Sequence, residues 1–182
     1  MTALVAVGPS TASADIMFTP FVGIATGGST ADSTTSFGGG LTWMGAGAVG
    51  LDLDFGYTPD FFGPSGDDFG DNNVTTFMVS AIVGAPVGGQ SGPGLRPYAV
   101  GGLGILKEKI DEAGDLFDVD DNSWGFNLGG GIAGFFTDNV GIRGDVRYFR
   151  SLNRGDDDGL DFDLGELDFW RVTAGVTFRF GG

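Results

Sequence analysis

Two stretches of the chain concentrate carboxylates: "DEAGDLFDVDDN" (Asp111–Asn122) holds six and "GDDDGLDFDLGELD" (Gly155–Asp168) holds seven. Clustered carboxylate oxygens suit hard cations such as Ca²⁺ or Mg²⁺, which take several oxygen ligands. Asp118, Asp120, Asp121, Asp156, Asp157 and Asp158 are the candidate ligands for a loosely held ion. Neither stretch follows the D-x-[DN]-x-[DN]-G-x₅-E spacing of a dedicated calcium loop. The competing reading is a solvated, self-repelling loop. Histidine and cysteine are both absent. That removes Ser-His, Cys-His and Asp-His catalytic pairs, and with them imidazole and thiolate metal sites. The expectation is a protein with no catalytic residues and no resident cofactor, beyond Ca²⁺ or Mg²⁺ held loosely by the acidic stretches.

A second set of charges is spaced differently. In "VGIRGDVRYF" (Val140–Phe149), Arg143, Asp145 and Arg147 alternate with Ile142, Val146 and Tyr148. Asp52 and Asp54 alternate with Leu51, Leu53 and Phe55, and Arg171 and Arg179 fall on the same alternating frame near the end of the chain. Period-two alternation is the mark of an extended strand with two unlike faces. These seven residues are therefore the candidates for one network of paired charges.

The elements that would position them are strands. Eight are predicted, over about 16–26, 36–44, 48–58, 74–85, 95–106, 123–136, 140–152 and 167–180. No stretch carries a helical period, and 36 glycines with 17 phenylalanines favour turn-rich β-structure. Connections after strands two, four and six read as short, and those after one, three, five and seven as roughly ten residues or more. This is the pattern of an up-and-down barrel with tight turns at one end. The strands are long enough to cross a bilayer at a tilt, which takes about 9–11 residues. The fifth strand could take either parity, because Gly101, Gly102 and Gly104 give its faces little contrast.

The charge is distributed unevenly. Of the 24 acids, 19 lie in 27–35, 59–73, 107–121 and 153–168, which sum to −19 + 3 = −16, while the rest of the chain sums to −5 + 6 = +1. The strands are near neutral and the connections acidic, so nucleic acid is not an expected partner. Two facings remain open. In a soluble, lipocalin-like barrel the bulky row Trp170, Val172, Ala174, Val176, Phe178 and Phe180 would line an apolar cavity. In a membrane barrel that row meets lipid, and the small, mixed-charge row fills the lumen. The small size of the polar row and its paired signs favour the second. Trp43, Tyr57, Trp124, Tyr148, Trp170 and Phe180 would then form interfacial girdles.

"NLGGGIAGFFTDNVGIRGDVRYF" followed by "FWRVTAGVTFRF" resembles the last three strands of the small eight-stranded outer-membrane β-barrels, OmpA/OmpX-like. "PFVGIATGG" and "RPYAVGGLGI" are similar to that family's first and fifth strands. The resemblance implies an all-β, antiparallel up-and-down transmembrane barrel in the bacterial outer membrane, over residues 15–182. It also implies contact with outer-membrane lipid and lipopolysaccharide, and with the outer-membrane assembly machinery. Val172, Ala174, Val176, Phe178 and Phe180 match the family's terminal assembly signal, although Gly181 and Gly182 follow the aromatic residue where such chains usually stop. Residues 1–14 read as the remnant of a signal peptide ending in Ala12-Ser13-Ala14, or as a tail. No peptidoglycan-binding domain of the kind some relatives carry is expected.

The functional expectation is a non-enzymatic barrel with long acidic extracellular loops and a structural or adhesive role at the surface. An external protein partner would bind through those loops, and divalent ions could bridge them to lipopolysaccharide phosphates. The alternatives are a narrow ion or small-solute channel and the soluble ligand-binding barrel. Phe61, Phe62, Phe69, Phe117 and Phe162 are expected to pack at the barrel rim.

Overall fold

A computed structural model of the chain describes residues 14–30, 32–45, 48–61, 72–88, 92–110, 120–154 and 162–181. Eight strands follow one another: β1 (Ala14–Thr26), β2 (Thr34–Gly45), β3 (Val49–Pro59), β4 (Asn72–Gly84), β5 (Gly94–Ile110), β6 (Asp120–Phe135), β7 (Val140–Arg154) and β8 (Phe162–Phe180). Each pairs antiparallel with the next, and β8 returns to β1 through pairs such as Ile16 with Phe180 and Val22 with Ala174. Closure leaves no unpaired edge, the condition a sheet must meet inside a bilayer.

The facing of the residues is that of a membrane barrel, so the soluble, lipocalin-like alternative is corrected. Along β8, Trp170, Val172, Ala174, Val176, Phe178 and Phe180 all point outward, while Arg171, Thr173, Thr177 and Arg179 are buried inside. On β6, Trp124 and Leu128 are 64% and 63% exposed, against 2% for Asn127 between them in the inward row. A wall of exposed Val, Leu, Ile and Phe on all eight strands is stable only against hydrocarbon. The parity of β5 is settled the same way. Arg96, Tyr98, Val100 and Leu106 point inward, and Leu95, Leu103 and Ile105 outward.

The connections depart from the expected alternation. β5, β6, β7 and β8 continue their ladders past the predicted ends, through pairs such as Lys109 with Asp120 and Arg154 with Phe162, with a bulge between Arg150 and Leu152. The links 111–119 and 155–161 are correspondingly shorter than expected, and an earlier start of β2, at Thr34, shortens 27–33. The link 85–93, expected to be short, is as long as 111–119. At its described ends Val87 and Leu95 exchange backbone hydrogen bonds of 2.7 and 3.0 Å. Gly88 and Gly92, at φ 99° and 82°, supply backbone conformations that side chains rarely adopt. At the β6–β7 turn, Thr137 Oγ1 accepts the amides of Asn139 and Val140 at 3.3 and 3.0 Å.

Candidate functional site in the barrel lumen

The inward rows build a lumen in three layers. At the end where β1 leaves for β2, Ala25, Phe61, Val74, Met78, Leu106, Phe149, Leu167 and Phe169 form a buried apolar cluster. Phe61 lies just past β3 and turns in over the barrel, edge-on to Phe169 at 4.9 Å, and Phe169 stacks on Phe149 at 5.0 Å. At the short-turn end, Met17, Met44, Ile82, Tyr98, Val100, Ala133 and Phe135 form a second cluster. Most of the lumen charges lie between these two layers.

Asp52 on β3 is wholly buried and accepts three hydrogen bonds: from Thr42 Oγ1 at 2.5 Å, Arg143 Nη1 at 3.2 Å and Arg147 Nη2 at 2.8 Å. Asp145 accepts from Arg147 Nε at 2.6 Å, Arg143 Nη2 at 3.3 Å and the Tyr98 hydroxyl at 2.5 Å. Tyr98 in turn accepts from Arg143 Nε at 2.6 Å, and the Arg143 guanidinium lies 4.4 Å over the Tyr98 ring. Asp54 pairs closely with Arg171 Nη2 and lies 3.7 Å from Arg147 Nη1. Arg171 donates to Thr76 Oγ1 at 3.2 Å and is sandwiched between the rings of Phe21 (4.9 Å) and Phe149 (4.6 Å). Three carboxylates thus meet three guanidiniums, and the lattice carries no net charge. That balance is what a buried ionic cluster needs, since an unmatched charge in low dielectric is costly. Gly56 makes room for it, because a Cβ there would run into Arg171 Nη1 and Thr76 Oγ1.

Six of the seven charged residues selected from the sequence meet in this lattice. Arg179 does not. It lies toward the short turns, stacked on Phe135 at 4.3 Å, and donates to the carbonyl of Asp138 at 2.5 Å. The sequence reading missed a second ion pair, in which Arg96 Nη2 and Nη1 reach Asp15 Oδ2 at 3.1 and 3.2 Å. It also missed Tyr98, Thr42 and Thr76. Fixing the parity of β5 would have found Arg96 and Tyr98 together, since both alternate with the outward Leu95, Pro97 and Ala99.

Val172, Ala174, Val176, Phe178 and Phe180 form one lipid-facing row, with Phe180 beside Ile16 at the closing seam. The girdle aromatics fall in two belts. Trp43 and Phe180 lie at the short-turn end, while Tyr57, Trp124, Tyr148 and Trp170 lie at the other, where Tyr148 and Trp170 pack at 5.1 Å. Among the metal candidates, Asp118, Asp156, Asp157 and Asp158 lie outside the described residues, and Asp120 and Asp121 are placed only as backbone of β6. Among the described residues no group of three or more acidic side chains is disposed to hold a metal ion. Residues 1–13, and with them most of the expected leader, also lie outside the described residues, as do Phe62, Phe69 and Phe117.

A closed barrel with an apolar exterior, aromatic belts and a charge-paired lumen is an integral protein of the bacterial outer membrane. The chain belongs to the family described as the outer membrane protein beta-barrel domain, whose model matches residues 3–180. No curated protein sequence matches it significantly. Among solved structures it is similar to Neisserial surface protein A, at 18% identity and a TM-score of 0.62, covering 92% of this chain and 97% of that one. The N-terminal β-barrel domain of Pseudomonas aeruginosa OprF is similar at 19% identity and 0.59, with coverage of 91% and 97%. The attachment invasion locus protein Ail of Yersinia pestis is similar at 15% and 0.58, with coverage of 93% and 100%. At these identities the likeness is one of fold.

Proposed function

We propose that the protein is a sealed, non-enzymatic scaffold that holds acidic segments at the outer surface of the cell, with a structural or adhesive role. The observation that carries this reading is the layered lumen. An ion entering from outside would first meet Phe61, Phe149 and Phe169, then a lattice whose charges are already paired, then Met17, Met44 and Phe135. The cavity within the lattice, lined by Thr19, Phe21, Asp54, Arg143, Asp145, Arg147 and Thr173 among others, is about 10 Å³. That is room for about one water. A narrow channel would need both apolar layers to part.

The names of the similar surface and attachment proteins support an outward, adhesive use of the loops. Ail has been described in complex with the heparin analogue sucrose octasulfate, a polyanion. The connections 27–33, 60–71, 111–119 and 155–161 sum to −13, so the expected partner is instead basic, or a Ca²⁺ or Mg²⁺ layer held loosely by Asp118, Asp120, Asp121 and Asp156 to Asp158. Reconstitution tests both parts of the reading. In planar bilayers the folded protein is expected to give no discrete current steps, and steps abolished by Arg143→Glu would overturn the seal. Proteoliposomes should migrate as more negative particles than empty ones and lose the excess after external protease. No difference would overturn the display of acidic loops.

A further inference from the structure

Of the three guanidiniums in the lumen lattice, Arg147 is the one that reaches all three carboxylates. Its Nε donates to Asp145 at 2.6 Å and its Nη2 to Asp52 at 2.8 Å. Its Nη1 stops 3.7 Å from Asp54 Oδ2, too far for a direct hydrogen bond. Among the described residues this nitrogen has no hydrogen-bond partner, although the side chain is only 3% exposed. A buried N–H without an acceptor is costly, more so on a charged group. A polar gap beyond about 3.5 Å is the separation at which a bridging water is expected.

The lumen cavity lies at this gap, since Arg147 and Asp54 both line it, together with Thr19, Gly40 and Thr173. Its shape is set by a glycine. Gly40 on β2 pairs with Thr19 on β1 and with Asp54 on β3, so it sits in the inward row between a hydroxyl and a carboxylate. A Cβ at Gly40 would meet only the Leu53 carbonyl oxygen, at 3.7 Å, an ordinary contact. The protein around Gly40 would therefore accept a methyl group, and what the methyl would take is cavity. Charge decides what the cavity can hold. The lattice is neutral, so an added anion would face Asp54 and Asp145, and an added cation would face Arg143 and Arg147. A water accepts from an N–H and donates to a carboxylate or hydroxyl, and the cavity offers both kinds of partner.

We infer that this cavity is a binding site for a single water molecule, which accepts from Arg147 Nη1 and donates to Asp54. The water is a working member of the lattice, because through it Arg147 is bonded to all three carboxylates at once. Gly40 is the residue that keeps its place open. The site depends neither on the acidic connections nor on any partner they bind.

Crystal structures of the full chain, folded in detergent, test the site alongside the urea stability of G40A and G40S. The expected density is one water within hydrogen-bond distance of Arg147 Nη1 and the Asp54 carboxylate, displaced in G40A and replaced by the introduced hydroxyl in G40S. Crystals grown in bromide should give no anomalous signal there. Alanine in place of a strand glycine is otherwise stabilising. Here G40A should instead lower the folding equilibrium constant at least about fivefold, through the donor it strands. G40S, whose hydroxyl takes over the bridge, should stay within about threefold of the unaltered chain. A dry cavity in a map that shows other buried waters, a bromide in the site, G40A more stable than the unaltered chain, or G40S no better than G40A would each overturn the proposal. The mobility of unboiled samples shows that each variant is folded. If G40A does not assemble, the density in the unaltered chain decides.

Discussion

Replacing Asp52 with asparagine keeps the shape of the side chain and removes one charge from the centre of the lattice. Arg143, Arg147 and Arg171 would then face only Asp54 and Asp145, so a neutral cluster becomes one with a net charge of +1. Asp52 is fully buried and takes donors from Thr42, Arg143 and Arg147, so water cannot compensate for the loss. Breaking a buried pair by removing one partner costs about 3–5 kcal/mol. That corresponds to between about two and four powers of ten in the folding equilibrium. With a urea dependence of about 2 kcal/mol/M, the midpoint should fall by about 2 M. The fraction folded can be read from the mobility of unboiled samples after equilibration in urea with lipid vesicles. The double variant Asp52→Asn/Arg143→Met restores neutrality. It should lose at least about 1 kcal/mol less than the sum of the two single changes, the signature of directly coupled residues. A loss below about 1 kcal/mol for Asp52→Asn, or strict additivity in the double variant, would refute the account of the lattice as a mutually dependent charge set.

Two further expectations follow from the layers and the wall. Phe61→Ala should leave a cavity above Phe169 and Phe149 and lower stability by about 3–5 kcal/mol, yet remain electrically silent in bilayers, because Phe149 and Arg171 still fill the section below; new conductance would show that the outer layer alone forms the seal. Ala174→Arg places a charge midway along the lipid-facing row of β8 and should cost about 2–4 kcal/mol if that row lies at the bilayer midplane, measured in the same urea assay; an effect below about 1 kcal/mol would put that height at an interface instead.

The wall was legible because its rule is local. In β3, β7 and β8 bulky apolar residues alternate with charged or small ones, and that alone identifies the two faces. Where both faces are weak the rule fails, as in β5, whose parity is decided by neighbours that the sequence does not name. Asp15 and Arg96 pair across the lumen from β1 and β5, and no spacing within one strand announces such a partner. The apolar layers were hidden by the same alternation. Met17, Met78, Phe149 and Phe169 occupy the inward rows, where the reading expected only small and charged residues. The outer ends of β5 to β8 were read as loops because Glu108, Asp120, Asp121 and Asp163 have low strand propensity. In the folded barrel each has a backbone partner across the ladder, which prevails over propensity.

Seven of the eight joints in this wall connect strands adjacent in sequence, and only the joint between β1 and β8 brings together distant parts of the chain. Thr19 and Thr177 meet there through a 2.9 Å hydrogen bond. The barrel is therefore a ring of nearly equivalent hairpins in which the place of the break is a matter of bookkeeping. Because Ile16 and Phe180 are neighbours, a short linker could join the ends of the wall at the short-turn side, and new termini could be opened at any of the opposite connections. The polypeptide's order and the barrel's circumference are then separable properties. A lineage could rotate its starting strand around the ring while keeping the charges in the middle and the lipid outside.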